Sequence, residues 1–390
     1  MPSTKSPRYG DESRISTFMG VIQALIAFFT DTNDTLKSIH VGQHKFVFLL
    51  RDPIYLVAVA QTEEPEVQLR YQLVYLYDQI LSIVSYSQIQ KIFKSHSNFD
   101  LRKLITGTES MIDHLADNLM TNFCFALGSV ECIRIPPMLR ERLGLALKLA
   151  KSKNVLYALL ISGMKLVTLL RAKNVALYSS DLHILFSTVT SFSSFKMGEN
   201  WIPICLPKFN QNGFLHVYIC YLTPNLCLLL LSSDKSRFSE MSDIKSNIVE
   251  KLTKNGDLEK VEEILNEPTY SPAEISIPGL RHFFYRSNKM VQHTSSLFGE
   301  PYVKLHEQQS LLEKYHGLWA QLHDRQQASR IVHRVSESES MLGWCTSTFE
   351  LYATFGPLIR KNTLVNSSNL LIKWVKRNEE ALFATHPPIV

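Results

Sequence analysis

A chain of 390 residues is too long for one ordinary hydrophobic core and suits two or three domains. Hydrophobic residues make up 45% of it and charged residues 20%, which excludes an intrinsically disordered chain. The 41 basic and 36 acidic residues leave a formal charge of +5 without concentrated Lys/Arg blocks, so no nucleic-acid partner is expected, while an anionic membrane surface stays compatible with that charge.

In chain order, Met1 to Arg14 is polar, with Pro2, Pro7 and Gly10, and reads as a frayed end before a short apolar helix, Ile15 to Phe29. From Ser38 the pattern turns strand-like. Lys45-Phe-Val-Phe-Leu-Leu50, an Arg51-Asp52-Pro53 turn and Ile54 to Ala60 predict a hairpin. Glu66 to Ser85 carries Leu69, Leu73, Leu76 and Ile80 at helical spacing. The same order returns in a second block: a hairpin of Val155 to Ile161 and Leu166 to Leu170, turning at Ser162 to Lys165, then a helix from Ser180 to Phe195 that Asp181 or a neighbouring serine can cap. Strands at Trp201 to Leu206, Phe214 to Leu222 and Leu226 to Ser232 follow, and a polar helical region, Phe238 to Leu265, completes the unit. A third block opens after the linker Pro268 to Glu274. It has a strand at Leu280 to Tyr285, a helix at Leu311 to Leu322, strands near Arg330 to Val335 and Met341 to Thr346, and a terminal helix from Ser368 to Phe383. Three copies of a related α/β unit, more strictly α+β because the hairpins are antiparallel, fit the length better than a doubly wound nucleotide-binding sheet.

The six cysteines, Cys124, Cys132, Cys205, Cys220, Cys227 and Cys345, sit in apolar contexts and form no C-x-x-C pair. They read as reduced core residues of a cytosolic protein, with neither a metal site nor a disulfide framework expected. No run reaches the roughly 18 to 20 apolar residues of a membrane span. Asn33 and Asn366 open N-x-S/T triplets, which in the absence of a secretory signal read as chance.

Chemistry-bearing motifs are missing. There is no phosphate loop, no G-x-G-x-x-G turn and no G-x-S-x-G elbow, so no catalytic residue and no cofactor is expected. His306-Glu307 lacks the second histidine that a zincin helix needs one turn later. Asp181 and His183 are two apart and point to different helix faces, while Glu262-Glu263 and Glu379-Glu380 read as solvated. Trp201 stands out. It opens a strand in which Pro203 removes a ladder donor, confining that strand to a sheet edge or a bulge, and an edge tryptophan either anchors a partner or packs into its own domain.

Several runs resemble one known family. Asp181 to Phe186, Trp201 to Asn210, Leu280 to Ser287, Phe349 to Tyr352, and Leu371 to Lys376 with Pro387-Pro388 are similar, in order, to the SAND-type vacuolar fusion proteins, the Mon-one family. Phe284 and Arg286 are small differences, and the long polar N-terminal extension usual in that family is almost absent here. The resemblance implies a triple-longin fold, with residues 1–34 as tail and first helix and longin domains at 35–150, 151–267 and 268–390. It implies obligate pairing with a Ccz-one-type triple-longin subunit to form a guanine-nucleotide exchange factor for the late-endosomal Rab GTPase, Rab-seven. A β-propeller third subunit in animals and recruitment by an early-endosomal Rab GTPase and a phosphoinositide membrane surface go with it, as does a cytosolic protein peripherally associated with endosomes and vacuole or lysosome. On that reading Ile39, His40, Gly42, Gln43 and Lys45 form the Rab-activation surface, and Trp201, Ile202, Pro203 and Ile204 dock the recruiting Rab. A longin-type coat or adaptor scaffold without exchange activity is the alternative, and an unrecognised α/β hydrolase the weaker one.

Overall fold

The computed structural model describes residues 12–31, 34–61, 64–96, 99–173, 175–267, 269–324 and 329–384. The frayed start as far as residue 11, Asn33, Pro268 and Pro387-Pro388 lie outside the described residues. The chain divides into two compact units at Leu73/Val74.

In the first unit, helix α1 (Glu12–Asp31) precedes strands β1 (Ser38–Val41), β2 (His44–Arg51) and β3 (Ile54–Ala60), paired antiparallel in the order β1-β2-β3. Phe46, Phe48 and Leu50 of β2 lie on the face that meets Ile22, Ile26 and Phe29 of α1, while Val47 and Leu49 are buried on the other. A strand covered on both faces has no polar side to show, which is why this run reads as continuously apolar. Helix α2 (Glu66–Ile83) starts here, and the boundary between the units falls within it.

The segment from Tyr86 to Leu147, for which sequence pattern gives no assignment, is mostly helical: α3 (Tyr86–Ser95), α4 (Arg102–Ile105), α5 (Glu109–Thr121), α6 (Cys124–Leu127), the two-residue strand β4 (Val130–Glu131) and α7 (Pro137–Leu147). The second block then contributes β5 (Tyr157–Ser162), β6 (Lys165–Arg171), α8 (Ser179–Ser191), β7 (Glu199–Ile204), α9 (Pro207–Asn210), β8 (Leu215–Tyr221), β9 (Cys227–Ser232), α10 (Phe238–Lys254) and α11 (Asp257–Asn266). After α12 (Pro272–Ile275) the third has β10 (Leu280–Ser287), β11 (Gln292–Ser295), α13 (Leu305–Leu322), β12 (Ile331–Val335), β13 (Ser340–Cys345), β14 (Phe349–Phe355), α14 (Lys361–Arg377) and α15 (Glu379–Leu382).

Several boundaries differ from expectation for local reasons. The helix expected to reach Phe195 stops at Ser191, where Thr190 and Ser191 turn their hydroxyls back onto carbonyls of the preceding turn. The polar helical region breaks at Gly256, whose φ of +62° ends one helix and starts the next. Helix α13 begins at Leu305 because Glu307 accepts the Lys304 amide at 2.9 Å. The terminal helix starts earlier than expected, at Lys361, and is interrupted at Asn378. Strands β11 and β14 escaped the pattern; β14 is buried at all seven positions and has no alternation to read.

The two sheets of the second unit share one topology. The first runs β6-β5-β9-β8-β7; the other, read in the matching direction, runs β11-β10-β14-β13-β12, with β4 added beyond β11. In each, a hairpin, a helix and three strands follow in sequence, and the first of those three lies at the far edge. The β4 segment joins the sheets: Val130 and Glu131 pair parallel with β11, and Cys132 bridges Leu166 of β6. One core then runs through both, from Tyr157, Leu159 and Phe186 to Phe283, Leu351 and Leu371.

Arg140 of α7 locks this seam. It is only 7% exposed, and its guanidinium donates to the carbonyls of Val167 (2.6 Å), Ile133 (2.7 Å) and Ala381 (2.8 Å) and to Cys132 Sγ (3.2 Å). Arg140→Ala should therefore lower stability by about 3 kcal/mol, since several buried carbonyls lose a charged donor at once. Urea unfolding checks this, and a loss below about 1 kcal/mol would mean the seam holds without the guanidinium.

Four buried histidines pack around the same unit. His183 contacts the Tyr75 hydroxyl through Nδ1 and the Ser129 carbonyl through Nε2, both at 3.0 Å, and His293 Nδ1 lies 3.1 Å from the same carbonyl. Burial pushes His183, His293 and His316 down to about 4 and His282 to about 3. Since an unfolded histidine titrates near 6.5, the folded state binds fewer protons below that pH. Their stabilising neutrality is complete above roughly pH 6.5 and is lost as pH falls from there towards 4. Unfolding free energy should drop by a few kcal/mol across that window, read from denaturant midpoints; a flat profile would show that these imidazoles reach solvent.

Candidate functional site

The first candidate surface is the β1–β2 hairpin. Its two-residue turn is Gly42-Gln43, with Gly42 at φ +59°, a backbone conformation that a side chain opposes. His40 and Lys45 are cross-strand partners on one face. Each is tethered: His40 Nε2 lies 2.6 Å from Glu66 Oε1, and Lys45 Nζ donates to the Glu64 carbonyl at 3.1 Å. Hydrogen bonds from Ser38 and His40 hold the Glu66 carboxyl below its usual range. Ile39 pairs with Phe46 and packs into the α1 core instead. The hairpin thus brings His40, Gly42, Gln43 and Lys45 together and leaves Ile39 on the structural side.

Sequence reading missed a second feature of this unit. Val21, Leu25 and Phe28 of α1 are 55%, 37% and 64% exposed, a stripe at four- and three-residue spacing beside the stripe that packs on the sheet. The signal was present, because a helix apolar on more than one side must bury more than one side.

The second candidate is β7, which lies at an unpaired edge among the described strands, as Pro203 requires. Its four residues divide between faces. Trp201 is half-buried, donates Nε1–H to the Lys235 carbonyl at 3.0 Å, stacks on His216 at 5.6 Å and packs against the core beneath α10. Ile202 packs on the opposite core, and Ile204 is 2% exposed. Only Pro203 is open to solvent.

Other candidates resolve into structural roles. Asp181, expected as a cap of its own helix, lies inside the first turn of α8 and caps α9 instead: its carboxylate accepts the amides of Lys208 (3.0 Å) and Phe209 (2.8 Å). Burial pushes its pKa up to about 6 against those two donors. Glu262, expected to be solvated, accepts hydrogen bonds from Thr223 Oγ1 and from Asn225 Nδ2 (2.8 Å) and so fixes the β8–β9 turn. A cleft of about 1180 Å³ lies between the β5–β6 and β8–β9 turns and Tyr270 of the third block. Among the described residues lining it there is no histidine or cysteine, and its cations are engaged, Lys165 by Glu131 and Arg134 by Glu274, with Lys196 over the Tyr221 ring. Among the described residues, no helix is long and apolar enough to cross a membrane.

Comparison with known proteins agrees with this geometry. Residues 7–115, 153–250 and 279–379 match, in order, the first, second and third longin domains of FUZ, MON1 and HPS1. The chain is 39% identical to vacuolar fusion protein MON1 homolog A of Gallus gallus, over 97% of this chain and 70% of that protein. It is likewise 39% identical to Protein SAND of Takifugu rubripes, covering 97% and 74% of the two chains, and 38% identical to vacuolar fusion protein MON1 of Cryptococcus neoformans, covering 97% and 62%. With nearly its whole length matched to such relatives and three longin units folded in their order, this chain belongs to the MON1/SAND family.

Proposed function

We propose that this protein is a non-catalytic subunit of a heteromeric guanine-nucleotide exchange factor that activates the late-endosomal Rab GTPase, Rab-seven, in endosome maturation, autophagy and fusion with the vacuole or lysosome. Its relatives carry the name vacuolar fusion protein. The observation that carries the reading is the exposed Val21, Leu25 and Phe28 stripe of α1, in the same unit as the His40–Lys45 hairpin. A monomer rarely leaves such a stripe to water, so it fits the seat of an obligate partner, a Ccz-one-type triple-longin subunit. The complex works at the membrane surface, held there by an early-endosomal Rab, a phosphoinositide surface and, in animals, a β-propeller subunit.

Exchange needs surface more than side-chain chemistry. A Rab holds its nucleotide with about 12 to 16 kcal/mol, and only preferential binding of the nucleotide-free form offsets that. The hairpin offers a glycine turn for close approach and two tethered polar groups to press against a switch region. An adaptor scaffold without exchange activity is the alternative, and the same assay separates the two.

In the purified heteromer, His40→Ala combined with Gln43→Ala and Lys45→Glu should slow fluorescent-GDP release from Rab-seven about tenfold, equivalent to 1.4 kcal/mol, with unfolding unchanged. Normal release would remove this face, and a well-folded wild-type heteromer without exchange activity would leave the adaptor reading. Pro203→Glu, on the exposed edge of β7, should weaken early-endosomal Rab binding about tenfold and leave release in solution intact. Trp201→Ala should instead cost about 2 kcal/mol of stability, since its indole is half-buried; equal Rab binding by Pro203→Glu and wild type would clear β7 of the docking role.

A further inference from the structure

Three metal-ligating side chains converge at the β13–β14 turn of the third longin sheet. His323 follows the last turn of α13, and Cys345 and Glu350 are cross-strand partners closing the β13–β14 hairpin. One donor atom from each, an imidazole nitrogen, a thiol sulfur and a carboxylate oxygen, lies within 4.8 Å of the others. We propose that His323, Cys345 and Glu350 form a binding site for a borderline-soft divalent cation of the Zn²⁺ type.

The surroundings orient the donors. His323 Nδ1 lies 3.0 Å from the Trp319 carbonyl and the ring stacks on Trp319 at 4.8 Å, which places Nε2 3.5 Å from Glu350 Oε2. This backing of a ligand imidazole by a carbonyl is the usual outer-shell arrangement of metal-binding histidines. On Glu350, Oε1 is held by Arg286 and Oε2 accepts the Tyr352 hydroxyl at 2.9 Å, which leaves Oε2 one further lone pair. Mixed nitrogen, sulfur and oxygen donors suit zinc over magnesium or calcium. Three protein ligands leave the fourth position to water.

Cys345 sets the site apart. Five of the six thiols are buried, and Cys345 alone is half-open to solvent. An ion pair between His323 and Glu350 accounts for two of the three groups, and Cys345 packs at the margin of the α13 core with its sulfur within reach of both. On binding, the S–Zn bond forms as the Cys345 proton leaves to solvent. The guanidiniums of Arg286 and Arg330 face the thiol, so the affinity falls below that of four-ligand structural zinc sites. A bound cation ties the end of α13 to the β13–β14 hairpin.

The test uses the full-length chain, free of added metal, with ZnCl₂ as the probe and Cys345 as reporter. Under native conditions a thiol reagent should modify one cysteine, absent in Cys345→Ser. Zn²⁺ should slow that modification about tenfold or more, EDTA should reverse the effect, and His323→Ala should remain reactive but unprotected. Co²⁺ should give a sulfur-to-metal charge-transfer band that disappears in Cys345→Ser. Protection that survives His323→Ala, or an unprotected thiol with no charge-transfer band, would overturn the proposal.

Discussion

The second unit depends on one buried cation. Taking the Arg140 guanidinium out of water is costly, and among the described residues it faces carbonyls and a thiol in place of a carboxylate. What offsets that cost is convergence. The carbonyls of Ile133, Val167 and Ala381 belong to the connecting segment, strand β6 and helix α15, three pieces that this one guanidinium joins. The charge therefore fixes where the second domain, the connector and the end of the chain meet.

That connector solves an edge problem as well. An open strand edge invites unwanted pairing, and each five-stranded longin sheet has two. Val130 and Glu131 cover β11, and Cys132 and Ile133 cover β6 through the bridge to Leu166 and the hydrogen bond from the Ile133 amide to its carbonyl. The equivalent strands at the far ends, β7 and β12, stay unpaired among the described strands. Pro203 on β7 limits strand addition there and favours side-chain contact over a continuous ladder.

Neutral histidines complete the joint. The Ser129 carbonyl faces both His183 and His293, and Tyr75 approaches His183 from α2. These imidazoles act as packing, because each is buried where charge is costly. Exposed apolar stripes and strand edges remain as surfaces of the chain.

Much of this was legible in the residues. Lys45 to Leu50 and Ile54 to Ala60 announced a hairpin, Pro203 announced an edge or a bulge, and the hairpin–helix–three-strand order announced repeated units, because these follow from backbone geometry and local apolar spacing. Five cysteines in apolar runs were indeed core residues. What local spacing could not carry was pairing across distance. Asp181 capping α9, Glu262 holding a turn, β14 losing its alternation in a fully buried position, Ile39 turning inward from the rest of its hairpin, and His323 meeting Cys345 and Glu350 all depend on contacts between separate elements. The sequence by itself determined which segments become strands and helices and which faces are apolar; tertiary structure alone decided which polar groups meet, because a hydrogen bond or ion pair is fixed by position in space and leaves no period in the chain.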